Sequence, residues 1–150
     1  VIVLDNIRSA HNVGSIFRTS DGFLIEKILL CGICPVPPNK DIRKTALGAT
    51  ESVEWEYYKD SLECIDHLKN KGFEIISVEQ ANKSTFLDKI SYLDSKKIAL
   101  VFGNEVNGVS DDVILSSDKV IEIPQHGTKH SFNVSVSVGI VVWDIIQKLK

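Results

Sequence analysis

Short, almost uninterrupted apolar runs punctuate this chain: Val1 to Leu4, Ile28 to Cys31, Phe73 to Val78, Ile98 to Phe102 and Val120 to Ile123. A strand with one wet face alternates apolar and polar residues. An unbroken short run instead points to a strand covered on both faces, the habit of parallel sheets with helices above and below. Helical candidates lie between the runs. Ile16, Phe17, Ser20, Phe23 and Leu24 recur at three- and four-residue steps, and Leu62, Ile65 and Leu68 form an amphipathic stretch behind Asp60-Ser61, a candidate N-cap. Ser110-Asp111-Asp112 starts a further short helix, with its acids at the favourable end. Val53 to Tyr58 alternates more weakly and reads as an edge strand or a loop, and Pro35-Val36-Pro37-Pro38-Asn39 is a loop. Strands alternating with helices predict an α/β fold around a mostly parallel sheet with helices on both faces.

The length of 150 residues suits one domain, and 43% hydrophobic with 25% charged residues excludes disordered, collagenous and low-complexity classes. No apolar run approaches the roughly 18 residues of a membrane span. The chain opens on Val1-Ile2-Val3-Leu4 without a signal-peptide pattern, and its 3 cysteines are too few for a disulfide scaffold. The expectation is a cytoplasmic protein. With 17 basic and 20 acidic residues the formal charge is −3. That argues against bulk, charge-driven nucleic-acid binding but leaves room for a local basic site.

The last segment is ambiguous. Phe132, Val134, Val136, Val138 and Ile140 alternate with Asn133, Ser135, Ser137 and Gly139, a strand pattern. The continuation Ile140 to Ile146 is apolar almost all round, which suits a buried helix with Ser131 as its N-cap and Ser135 and Gly139 leaving room for a neighbour. Pattern alone does not decide.

Several familiar sites are excluded. Gly103 to Ser110 has the glycine spacing of a phosphate-binding loop, but Val109 stands where the lysine is required. No G-x-G-x-x-G follows a strand, and no G-x-S-x-G elbow is present. Cys31-Gly32-Ile33-Cys34 is a lone CxxC with Cys64 far off, and His11, His67, His126 and His130 lack metal-ligand spacing. The thiols read as partly buried packing residues, and no metal site is expected.

Three polar clusters remain, each at a seam after a strand, where open α/β sheets collect ligands. The first, Asp5 to Arg18, leads into a helix on which Asn12, Ser15, Arg18 and Thr19 form a polar stripe. Arg18 offers a planar fork of donors for phosphate or carboxylate. The second, Phe102 to Ser110, pairs two glycines with two asparagines around Glu105, a composition for tight turns and close ligand approach. The third, Ile123 to Asn133, is dense in donors.

Together and in this order the clusters resemble the signature of the SpoU branch of the SPOUT superfamily of RNA 2′-O-ribose methyltransferases. Asn12-Val13-Gly14-Ser15-Ile16-Phe17-Arg18 matches its N-x-G-x-x-x-R motif. Val101-Phe102-Gly103-Asn104-Glu105-Val106-Asn107-Gly108 matches its strand running into G-x-E-x-x-G. Ile123-Pro124-Gln125 and Ser131-Phe132-Asn133-Val134-Ser135-Val136-Ser137 match its third motif, with Gln125, Phe132 and Ser137 where Met, Leu and Ala are usual. Lys44 to Ala49 also resembles the segment between the first two motifs.

The resemblance implies a single SPOUT-type domain over 1–150 without a separate RNA-binding domain, a deep C-terminal trefoil knot, and a helix rather than a strand for the last segment. It implies S-adenosylmethionine as cofactor, surrounded by Val78, Gly103, Asn104, Gly108, Ile123, Gln125, Ser131 and Phe132. It also implies Arg18 as the catalytic residue, with Asn12, Glu105, Ser131 and Asn133 completing the catalytic set, and a homodimer formed through the terminal helix. The substrate expected is RNA, tRNA rather than rRNA. The competing readings are a SPOUT-like RNA-binding protein that transfers nothing and a flavodoxin-like small-molecule binder. Arg8, Arg18, Lys40, Arg43, Lys44, His126, Lys129 and His130 would supply a basic patch on an acidic molecule if the fold gathers them.

Overall fold

A computed structural model describes residues 1–91, 97–129 and 131–149, so His130 lies outside the described residues. The sheet is built from β1 (Ile2–Asp5), β2 (Lys27–Cys31), β3 (Glu54–Tyr58), β4 (Glu74–Val78), β5 (Thr85–Phe86), β6 (Ile98–Gly103) and β7 (Lys119–Glu122). Six helices connect them: α1 (Ala10–Gly22), α2 (Lys40–Ala46), α3 (Ala49–Ser52), α4 (Ser61–Asn70), α5 (Asp111–Ser116) and α6 (Val134–Leu149). The strand order is β3-β2-β1-β6-β4-β7-β5, and all the pairings are parallel.

The unbroken apolar runs have their expected cause. Ile2, Leu4, Ile28, Leu30, Ile76, Leu100 and Phe102 face one side, packed with Val13, Ile16 and Phe17 of α1, Ile42 of α2 and Val138, Val141 and Val142 of α6. Val3, Leu29, Ile75, Ala99 and Val101 face the other, against Ile65 and Leu68 of α4 and Val113 of α5. Both faces are dry, so both sets of alternating side chains are apolar apart from Ser77 in β4 and Asp5 at the end of β1. The weaker Val53–Tyr58 segment resolves as the edge strand β3, pairing only with β2.

Helix ends follow side-chain chemistry. Ser9 caps α1 by accepting from Asn12 N, Asn39 caps α2 by accepting from Asp41 N and Ile42 N, and Asp60 caps α4 by accepting from Leu62 N. Gly14 is where α1 and α2 touch: a Cβ there would overlap Thr45 Oγ1 and the Ile42 carbonyl. The motif glycine therefore sets a helix crossing, and Thr45 Oγ1 donates to the His11 carbonyl at 2.8 Å across it.

The terminal segment is a helix, as the resemblance implies. Two expectations need correction. The cap of this helix is Asn133 rather than Ser131: Asn133 Oδ1 accepts from Ser135 N at 2.9 Å and from Val136 N at 3.4 Å. Leu24 leaves the apolar stripe of α1; it follows the helix with φ 55° and is 90% exposed. A Cβ on Gly139 would meet nothing, so the room it leaves goes unused within the chain.

Candidate functional site

The C-terminal ends of β1, β4, β6 and β7 open on one region, and their outgoing loops build the site from polar residues that range from buried Asp5 to exposed Glu105 and Asn133. Asp5 ends β1 and is 1% exposed. Its Oδ1 accepts from Ser61 Oγ and Asn6 Nδ2, and its Oδ2 from Ser110 N at 2.8 Å and Ser110 Oγ at 2.7 Å. One carboxylate thus ties β1 to the starts of α4 and α5, with its charge met by donors as burial requires.

After β6, Asn104 organises the turn. Its backbone exchanges hydrogen bonds with Gly108, its Oδ1 accepts from Val106 N and Asn107 N, and its Nδ2 donates to the Asn6 carbonyl at 2.7 Å. A Cβ on Gly103 would overlap the Gly108–Val109 backbone. Gly108 has φ 71°, which an L side chain rarely adopts.

Glu105 projects from this turn to the start of α1. Its carboxylate accepts from Arg8 N and Ser9 N, both at 2.9 Å, and from Asn12 Nδ2 at 3.3 Å. Partial burial works to raise its pKa, but the amides of Arg8, Ser9 and Glu105 itself, with Asn12, together outweigh burial and hold the carboxyl below the ordinary glutamate range. Asn12 Oδ1 in turn accepts from Asn133 Nδ2 at 3.2 Å. The chain Asn133–Asn12–Glu105 therefore joins all three polar seams.

Beside it lies a cavity of about 660 Å³. Val78 at the end of β4 lines it, as do Gly103, Asn104, Glu105 and Gly108 of the turn. Ile123 and Gln125 after β7 and Ser131, Phe132 and Asn133 before α6 complete the wall. The volume falls in the range of small-molecule sites, about 300–1,000 Å³. Glu79, Asp111 and Glu122 also line it, and among the described residues no lysine, arginine or histidine does. Arg18 and Asn12 stand outside the wall. Arg18 is exposed on α1, on the same polar stripe as Asn12, Ser15 and Thr19.

The sequence reading missed Glu79. Its only signal was a carboxylate directly after the Phe73–Val78 strand, the kind of seam at which the other clusters were found. The cysteines are more deeply buried than expected. Burial pushes the Cys34 thiol up to about 12, and Cys34 Sγ donates to the Leu4 carbonyl while accepting from Ile7 N. The Cys31 thiol is raised by its contact with Cys64 and by burial. Among the described residues no group of three or more potential ligands is arranged for a metal.

The profile of the SpoU rRNA methylase family matches residues 1–143. The chain belongs to the SpoU rRNA methylase family. Among its relatives it is 34% identical over 149 residues to a protein of Borreliella burgdorferi named as an uncharacterised tRNA/rRNA methyltransferase, covering 99% of this chain and 64% of that one. It is 30% identical over 154 residues to a tRNA (guanosine(18)-2′-O)-methyltransferase of the same organism, covering 99% of this chain and 66% of that one. The chain thus spans less than two thirds of either relative's length. Its backbone matches the TrmH/SpoU tRNA modifying enzyme of A. aeolicus with a TM-score of 0.87 and 28% identity, over 99% of this chain and 74% of that one. The fold is also that of an AdoMet-bound rRNA methyltransferase of Sinorhizobium meliloti, with a TM-score of 0.92 and 24% identity, over 99% of this chain and 56% of that one. Family membership accounts for the α/β sheet and for the order of the three motifs.

Proposed function

We propose that this chain carries the catalytic domain of an S-adenosylmethionine-dependent RNA 2′-O-ribose methyltransferase, with tRNA as the favoured substrate. The observation that carries the reading is the meeting of the three motifs at one cavity through the Asn133–Asn12–Glu105 chain. The tRNA and rRNA methyltransferases among the relatives support the substrate class, and the tRNA (guanosine(18)-2′-O)-methyltransferase supports tRNA.

The wall suits the cofactor. Its glycine turn brings backbone donors and acceptors close, and the carboxylates of Glu79, Asp111 and Glu122 suit a ligand carrying a sulfonium and an ammonium. Val78, Gly103, Ile123 and Gln125 would hold the nucleoside with Asn104 and Gly108, and Ser131 and Phe132 would close the pocket from the third seam. When bound, the cofactor supplies an electrophilic methyl group on sulfur.

The remaining chemistry belongs to the substrate side. The 2′-hydroxyl must lose its proton and sit in line with the S–CH₃ bond. A guanidinium stays protonated at any working pH, so Arg18 is a poor base. It acts instead as a clamp on the ribose phosphate that steadies the developing alkoxide. Its place outside the cavity wall, on the stripe with Asn12, fits contact with substrate rather than cofactor. Glu105 and Asn133 hold Asn12, and through it the start of α1, against the cavity.

The homodimer of this reading uses the outer face of α6. Val136, Ile140 and Trp143, at 51, 37 and 55% exposure, recur at four- and three-residue steps and leave an apolar stripe uncovered by the chain itself. The C-terminal knot belongs to the same reading, as does a cytoplasmic location; among the described residues no helix is long and apolar enough to cross a membrane. The test is substitution of Arg18 by Ala, assayed for cofactor binding and methyl transfer to tRNA. Retained binding with transfer reduced about a hundredfold or more is expected. Transfer near the wild-type rate would remove Arg18 from the mechanism.

A further inference from the structure

We propose that Glu79 is a positioning residue of the cofactor site, a clamp that sets the cavity's width by fixing the Gly108–Val109 arm of the turn against the end of β4. The proposal rests on the reading of the cavity as a nucleoside-cofactor site.

Glu79 follows β4 and lines the cavity beside Val78. It is held at its backbone, where Glu79 N donates to the Ile121 carbonyl at 3.0 Å and so continues the contact of β4 with β7. Its carboxylate then reaches to the second seam. Oε2 accepts from Val109 N at 2.8 Å, while Oε1 accepts from Gln80 N at 3.0 Å. Both carboxylate oxygens thus accept from backbone amides.

The contact explains Gly108 better than the turn alone does. A positive φ favours glycine, but here a Cβ would also overlap the Glu79 Oε2 atom. Gly103 shows the same crowding from the opposite side, because its Cβ would overlap the Gly108 and Val109 backbone. The arm is therefore gripped between β6 and Glu79, and both grips depend on missing side chains. Asn104 shapes the tip of the turn, and Glu105 ties it to α1. Glu79 is the tie to β4, at the cavity wall. Hydrogen bonds to a charged acceptor are worth more than neutral ones, and losing this acceptor leaves the Val109 amide without its partner.

The proposal places the effect of Glu79 in cofactor affinity, not in the transfer step. The test uses the intact chain with Glu79→Ala and Glu79→Gln. Calorimetric titration with S-adenosylmethionine should show affinity falling about tenfold or more in Glu79→Ala, and less in Glu79→Gln, whose amide oxygen still accepts. Turnover at saturating cofactor should fall far less than affinity. Without cofactor, amide exchange at Val109 and Gln80 should speed up in both variants. A double-mutant cycle with Gly108→Ala adds a geometric check: that substitution should cost less stability in the Glu79→Ala background than in the parent chain, because the overlapping atom is gone.

Unchanged exchange at Val109 together with additive stabilities would overturn the clamp. Affinity within twofold of the parent, or turnover lost with affinity intact, would overturn its role in cofactor binding. A parent chain without affinity for S-adenosylmethionine would instead contradict the proposed function, and the exchange and cycle measurements would still decide whether the clamp exists.

Discussion

Glu105 shows how one residue couples a loop to a helix. Its carboxylate meets the amides of Arg8 and Ser9, so the charged form is the one the fold prefers, and its pKa lies below the ordinary glutamate value. A carboxyl with a lowered folded pKa contributes stability that is present above the unfolded value of about 4.3 and is lost as pH falls through the folded value. The Arg8 and Ser9 amide resonances should therefore shift together on acidification, with a midpoint below about 4.3, and Glu105→Gln should abolish that shared transition. A midpoint above that value would contradict the assigned contacts. Asp5 acts more deeply. It is buried with donors from Ser61, Ser110 and Asn6, and Asp5→Ala should lower the unfolding free energy measured in urea by about 2–4 kcal/mol. A loss within experimental error of zero would mean that the ties from β1 to α4 and α5 are dispensable.

At the scale of elements, α6 is the instructive case. Read by period two, Val134, Val136, Val138 and Ile140 form one face of a strand. In the structure Asn133 satisfies the first free amides and the inward set becomes Val134, Val138, Val141, Val142 and Ile145, while Val136 and Ile140 turn outward. Both sets are apolar, so composition could not separate them, and only the resemblance chose helix. Asn133→Ala should cost about 1 kcal/mol in the urea midpoint through the lost cap. It should also free the Asn12 side-chain oxygen, visible as a shift of the Asn12 side-chain amide resonances; a cost without that shift would argue against the Asn133–Asn12 link. The central strands were legible because both their faces are dry. The α2 helix was not: Ile42 and Ala46 are its only buried residues, too few to make a pattern. The two-residue β5 is exposed throughout, and one Phe86 is too little to make a pattern. The residues expected around the cofactor all line the cavity because they sit at strand ends, whereas Glu79, Asp111 and Glu122 line it as well and belong to none of the three motifs.

For the whole molecule, strand order is what the sequence could not carry. Nothing in Ile98 to Gly103 says that β6 inserts between β1 and β4, yet this insertion brings Glu105 to α1 and closes the cavity. The charge count also changes meaning. The chain is acidic overall, but Arg8, His11 and Arg18 are exposed around α1, and Lys40, Arg43 and Lys44 on α2, which Thr45 pins to His11. Acids line the cavity and bases stand on the neighbouring helices, a division that suits a cationic cofactor beside a polyanionic substrate. The apolar stripe of α6 belongs to this scale as well. Sedimentation should report a dimer, and Trp143→Glu should convert it to a folded monomer; a parent chain that sediments as a monomer would contradict the dimer. Incubating the protein with S-adenosylmethionine carrying a labelled methyl group and with separated tRNA and rRNA, then mapping the label by nuclease digestion, decides whether the chain methylates ribose. The expected result is label on a ribose 2′-oxygen of tRNA, lost in Arg18→Ala. Label on a base, or none on either RNA while the cofactor still binds, would contradict it.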